Sequence, residues 1–424
     1  MIQEIKTRIL DFGFDDYKII EVNSKEHQLY LLKDCVEARR TVESHYYEIT
    51  VYADHRKDGE KLRGEYTFVF KPSDDLSFYL EQAKSACIMI ENRYYGLMES
   101  TSISTVEVLD PKLSDPGQIG GQLAETLYNS SKGKHVYLSS SEIYLTKSEV
   151  TLTTSTGIEV SKVKGLIEID VTLISSQANR EQELNFQIEA RSIDGLRLAQ
   201  RLSEYKEYAR DMLNVQLPKN GKAAVAFRST DIYDLMDPVI FHSSGRAKDQ
   251  AISRFQLDES IVEKSVNTFI LKSSGILPYG IYSDPFDDDG IPGQEHTIID
   301  HGVFKKYWTT KRYADYLGVE PTGGFKNLVI EPVTNSTFDS QDYYDIVQFS
   351  DLTPDPVTGD FVAEIRFGYH VKKGKKTPVK GGSISGNLLE AMQRAYFTND
   401  RVFDGRYLGP KSIVLEDLSV SGQH

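Results

Sequence analysis

The chain has 424 residues, 39% of them hydrophobic, with a formal charge of −14 and a pI near 5.2. That length exceeds what one hydrophobic core supports, so two or more domains are expected, while the acidic balance argues against a nucleic-acid or anionic-membrane partner. Only Cys35 and Cys87 occur, which excludes a disulfide framework and a four-thiolate zinc site and fits a reducing cytosol.

Ile2, Ile5, Ile9 and Leu10 are spaced for a short amphipathic first helix, without the apolar core and cleavage site of a signal peptide. No later stretch approaches the roughly 18 apolar residues that a membrane span needs, so a soluble cytoplasmic protein is expected. Tyr17 to Val22 reads as a strand. Tyr47, Ile49 and Val51 then alternate with polar residues, Asp58-Gly59 makes a turn, and Tyr66, Phe68 and Phe70 return as a hairpin. Ser73 is placed to cap a helix whose apolar stripe runs through Leu76, Leu80, Ala83 and Cys87; on that stripe Cys87 is a small buried hydrophobe rather than a reactive thiol.

Asp110 to Gly121 reads as a connecting loop, followed by a helix carrying Ile119, Leu123 and Leu127. Val136–Leu145, Glu149–Val160, Gly165–Ile174 and Gln182–Arg191 give strand patterns that imply an antiparallel sheet with one wet face. A long helix is expected from about Gly195 to Asn214, ended by Pro218 and Gly221. Beyond the strand Ala223–Phe227 the texture changes to scattered strands rich in Gly and Pro. The expectation is an α+β protein with an N-terminal α/β domain over residues 1–220, formed by a largely antiparallel sheet and flanking helices, and a mostly antiparallel β domain over 221–424.

The nine histidines offer no His-Glu-x-x-His spacing. His296 and His301 are the closest pair, and their odd spacing sends them to opposite faces of an extended chain. The acidic run Asp284, Asp287, Asp288, Asp289 before Gly290 fails the EF-hand pattern, since Pro285 and His296 fall where the first and last ligands belong. Gly381–Gly386 and Thr322–Gly324 match neither a P-loop nor a dinucleotide fingerprint. There is no Gly-x-Ser-x-Gly elbow.

Taken in order, several segments resemble the TldD/PmbA family, the "modulator of DNA gyrase" type. Asp284-Pro-Phe-Asp-Asp-Asp-Gly-Ile-Pro-Gly-Gln294 followed by Ile298 to Tyr307 is similar to its acidic "D-D-E/D-G-x-P" run and "I-x-x-G-x-L-K-x-Y" segment. Pro321-Thr-Gly-Gly324, Ile330-Glu-Pro332 and Thr377 to Asn387 resemble later stretches, the last its "I-x-G-N" ending. Thr154-Ser-Thr-Gly157 resembles an N-terminal turn. Catalytic members carry a His-Glu-x-x-x-His helix and a C-terminal cysteine as zinc ligands. Here the corresponding stretch, Asp231 to Lys248, holds one histidine, His242, with no paired Glu and with Pro238 interrupting the helix, and no cysteine follows Cys87.

The resemblance therefore implies a TldE/PmbA-like subunit, not catalytic alone, which assembles with a TldD-like zinc protease or with itself and helps hold extended peptide for processing. It implies no cofactor, with zinc confined to a catalytic partner. It places substrate binding at Asp284, Asp288, Asp289 and Gly290, at Thr322, Gly323 and Gly324, and at Gly386 and Asn387. The alternatives are a hydrolase with a rearranged metal site at His242, His296 and His301, and a stand-alone homodimeric peptide-binding protein.

Overall fold

Alternation of apolar and polar residues runs further along the N-terminal half than a single buried face would require, and the strands are correspondingly long. The computed structural model describes residues 1–262, 268–333, 338 and 340–422. Its first sheet has seven strands in the order Asn92–Arg93, Glu60–Phe70, Cys35–Lys57, Asp16–Leu32, Val136–Thr154, Glu159–Gln177 and Arg180–Ala190, every neighbour antiparallel. The four strands expected between Val136 and Arg191 are three, because Val136–Leu145 and the start of Glu149–Val160 belong to one continuous strand.

The cause of that difference is a change of buried face. Ile143 and Leu145 pack with Leu29, Ile167 and Ile169 in one core, whereas Val150 and Leu152, of opposite parity, pack with Ile20, Ile158 and Phe286 in another. In a strand such a parity change means burial on opposite faces, so the two halves read as separate strands.

Helices cover the first face. Pro116–Ser131 begins inside the expected loop, with Pro116 at its first turn and the Asp115 carboxylate accepting from Gln118 N; proline is tolerated there because its missing N–H would be unpaired anyway. The expected long helix is broken at Arg197, which adopts φ 43° between Ile193–Leu196 and Leu198–Asp211. Helix Leu76–Cys87 is capped by Asp75 rather than Ser73, and Cys87 is buried in it, with burial pushing its thiol up to about 11.

The C-terminal half contains two further sheets. One runs Val303–Phe304, Glu295–Asp300, Phe269–Ser274, Asn327–Pro332, Tyr407–Pro410, Arg401–Asp404. In the other, Asp342–Leu352, Gly221–Arg228, Ser412–Ser421, Ser383–Asn387 and Asp360–Lys372 close into a barrel, since the last strand also pairs with the first. Most of these pairings are antiparallel, as expected for an α+β fold; the described exceptions between named strands are Asn327–Pro332 with Tyr407–Pro410 and Asp342–Leu352 with Gly221–Arg228. Barrel residues Val347, Phe367, Tyr369 and Val371 complete the core beneath the first sheet, so residues on either side of position 220 share buried surface.

Candidate functional site

The acidic run folds as a tight, self-bonded turn. Asp287 Oδ1 accepts from Asp289 N at 3.0 Å and Ile291 N at 2.9 Å, while its backbone N–H donates to Ile291 O at 2.8 Å. Burial, with repulsion from Asp289, raises the Asp287 carboxyl to about 6. Asp289 pairs with Lys18 at 2.8 Å. Asp284 Oδ1 lies 3.2 Å from Lys162 Nζ, out of line for a hydrogen bond, and the ammonium donates instead to Phe286 O at 2.7 Å. Burial lowers the Lys162 pKa against the pull of Asp284. Asp288 is exposed and Gly290 adopts φ +83°. Apart from Asp288, these carboxylates face backbone amides or lysines rather than one another's ligand positions, which is the arrangement of an acidic turn and not of a cation cage.

Thr322–Gly324 comes to this turn. A Cβ at Gly323, which holds φ +81°, would lie 2.9 Å from Asp287 Oδ2, so only glycine fits without displacing the carboxylate. Thr322 Oγ1 accepts from Thr309 N at 2.7 Å. His296 lies close by, where burial lowers its pKa with the Thr322 backbone opposing, and among the described residues its buried Nε2 has no hydrogen-bond partner.

Gly386 and Asn387 line a different cleft, of about 590 Å³, beside the barrel. A Cβ at Gly386 would meet Leu418 at 2.5 Å. Asn387 caps the helix Leu388–Ala391 and donates to Thr358 O and Asp360 Oδ1, each at 2.8 Å. The two predicted groups thus belong to separate surfaces.

Nor are the three histidines assembled as a metal site. His242 is fully buried, its Nε2 3.0 Å from Val357 O and its Nδ1 accepting from Arg254 N at 3.2 Å. His301 stands exposed in the turn after Glu295–Asp300, beside Asp300 at 2.7 Å. Among the described residues no three His, Cys, Asp or Glu side chains form a group that would hold a metal. The stretch expected to carry a zinc helix is three short helices, Ser229–Leu235, Asp237–His242 and Gly245–Asp249, with Pro238 in the first turn of the second.

Sequence reading missed a cleft of about 370 Å³ where the first sheet meets the C-terminal half. Lys164 reaches it from the sheet and Arg191 from just beyond the last strand, with Tyr282, Asp284, Phe325 and Lys326 from C-terminal loops. A signal existed in the strand Glu159–Gln177, where Lys162 is buried and its neighbour Val163 is exposed. That reverses ordinary polarity.

Residues 220–422 match the model of the PmbA/TldA metallopeptidase C-terminal domain. That stretch is similar to the C-terminal domain of PmbA/TldD proteins. Among relatives, an uncharacterized protein from Methanocaldococcus jannaschii is 27% identical over 215 residues, 46% of this chain and 51% of that protein. A metalloprotease TldD homolog from Buchnera aphidicola subsp. Acyrthosiphon pisum is 30% identical over 168 residues, 32% of this chain and 35% of that protein. The matched stretch spans about half, or less, of the length of these curated relatives. The fold is also that of TldE from Thermococcus kodakarensis, with a TM-score of 0.79 at 16% identity over 99% of both chains. A protein from Thermotoga maritima MSB8, described as a modulator of a DNA gyrase, gives 0.78 at 21% identity, covering 99% of this chain and all of that one. Similarity to this C-terminal domain and absence of a His-Glu-x-x-x-His motif therefore coincide in one sequence.

Proposed function

We propose that this chain is a non-catalytic subunit, of the TldE/PmbA kind, in a cytoplasmic TldD-type metalloprotease complex that processes peptides or unfolded proteins. The observation carrying this reading is His242. It stands where the resemblance would put a zinc ligand, yet both ring nitrogens already have backbone partners in a fully buried setting. A catalytic zinc requires three protein ligands and an open position. The chain's own contribution is then to enclose and hold an extended substrate, whose backbone would pair with an exposed sheet edge, while zinc and the hydrolytic step reside in a partner.

The test is reconstitution. The purified chain is mixed with a homologue from the same genome that has an intact His-Glu-x-x-x-His, and an unfolded protein substrate is supplied. Cleavage by the mixture at a rate well above that of either component, together with a co-migrating complex in sedimentation, is expected. Full activity of the homologue alone, unchanged by addition of this chain, would contradict the proposal, as would cleavage by this chain alone.

A further inference from the structure

The cleft between the first sheet and the C-terminal half has a charge that the rest of the molecule does not predict. The chain carries −14 overall, yet Lys164, Arg191 and Lys326 line this cleft against one acid, Asp284. Arg191 is only 6% exposed. Its Nη1 and Nη2 donate to the carbonyls of Val108 at 3.4 Å and Ile281 at 2.5 Å, and among the described residues its Nε–H has no hydrogen-bond partner. Among the described residues it has no ion pair. Burial lowers its pKa, opposed by Asp284. A buried guanidinium satisfied only by neutral carbonyls is an expensive arrangement unless an anion completes it.

The other two cations also lack direct polar contacts among the described residues, although the Lys326 charge acts on Asp287. Neither the Lys164 nor the Lys326 ammonium has a hydrogen-bond or ion-pair partner among the described residues, whereas Lys162, behind them, is occupied by Asp284 and Phe286 O. Strand register explains the convergence: Ser148 faces Lys164 and Thr146 faces Leu166 across adjacent strands, putting small polar side chains beside the cations. Tyr282 and Phe325 contribute aromatic surface from the C-terminal loops.

We infer that this cleft binds the carboxylate of a peptide, at its C-terminus or on an acidic side chain, next to an apolar or aromatic residue. The inference rests on the reading that the chain holds extended peptide and adds what it recognises. A monoanion is favoured over phosphate because Asp284 would repel a second negative charge, and strands and loops rather than a helix N-terminus line the cleft. Guanidinium and ammonium donors to a carboxylate form charge-assisted hydrogen bonds, while the aromatic surface accepts the neighbouring side chain.

Fluorescence anisotropy on the intact chain tests this with three labelled peptides sharing one unstructured, aromatic-containing sequence: one ending in a free carboxylate, one amidated and without acidic residues, and one amidated with a single internal Glu. A carboxylate-bearing peptide should bind about tenfold or more tightly than the uncharged amide, and comparison of the first and third separates chain end from side chain. Lys164→Ala and Lys326→Ala should each weaken that binding severalfold, leave binding of the uncharged amide unchanged and leave the thermal transition in place. Arg191→Ala is not relied on, because it also removes two backbone contacts. Equal affinity for all three peptides, or carboxylate binding indifferent to both lysine variants, overturns the carboxylate site while leaving peptide holding intact; no binding of any peptide overturns both.

Discussion

At His242 the partners fix the protonation state. Val357 O requires a donor at Nε2 and Arg254 N–H requires an acceptor at Nδ1, so the ring is neutral in the folded protein. Burial accordingly holds its pKa below the ordinary 6.5. The unfolded chain binds the proton first, so the stability contributed is complete above pH 6.5 and is lost as pH falls through the folded value. His242→Ala should cost about 2–4 kcal/mol in denaturant unfolding at pH 8, through a cavity and two lost hydrogen bonds, and should flatten the decline in stability below pH 6.5. Asp287 has the opposite sign. Its carboxyl is raised from 3.8 to about 6, so its contribution is full below pH 3.8 and lost as pH rises through about 6. Asp287→Asn keeps an acceptor for the Asp289 and Ile291 amides and should raise stability by about 1 kcal/mol above pH 7, an advantage that unfolding curves should show disappearing at lower pH.

Ile167, Ile169, Val171 and Leu173 pack as their alternation implies, and the Asp58-Gly59 hairpin falls where both residues take positive φ. Local chemistry decides such features, so they can be read from sequence. The continuous strand Val136–Thr154 could not be read this way, because its two buried faces depend on what covers each side, and on one side that is Phe286, more than a hundred residues away. The same non-locality hid the cationic cleft, whose lysines and arginine come from one strand, the end of its neighbour and a distant loop. The Thr322–Gly324 turn and the acidic run were visible as motifs; that Gly323 abuts Asp287, and that Gly386 lies elsewhere, required the fold. Phe286 is the peg fastening the acidic turn to the first sheet, being 1% exposed and flanked by Ile20, Leu152 and Ile158. Phe286→Ala should cost about 3–5 kcal/mol, with hydrogen exchange rising first across 284–294.

At the scale of the whole molecule, the two halves are joined by burial as well as by chain. Val347, Phe367, Tyr369 and Val371 of the barrel sit in a core made mostly by the first sheet and its helices. A fragment comprising 220–424 would expose that apolar surface and should aggregate or melt well below the intact chain, as light scattering and calorimetry would record. Under the proposed reading, this joined scaffold holds and encloses peptide while a partner supplies the zinc. The most direct measurement is a native pull-down of the tagged chain from its own host, with mass spectrometry of what remains bound. A family member with an intact His-Glu-x-x-x-His recovered in stoichiometric amount is the predicted result; recovery of the bait alone would contradict the partner-subunit account and leave a homodimeric binding protein in its place.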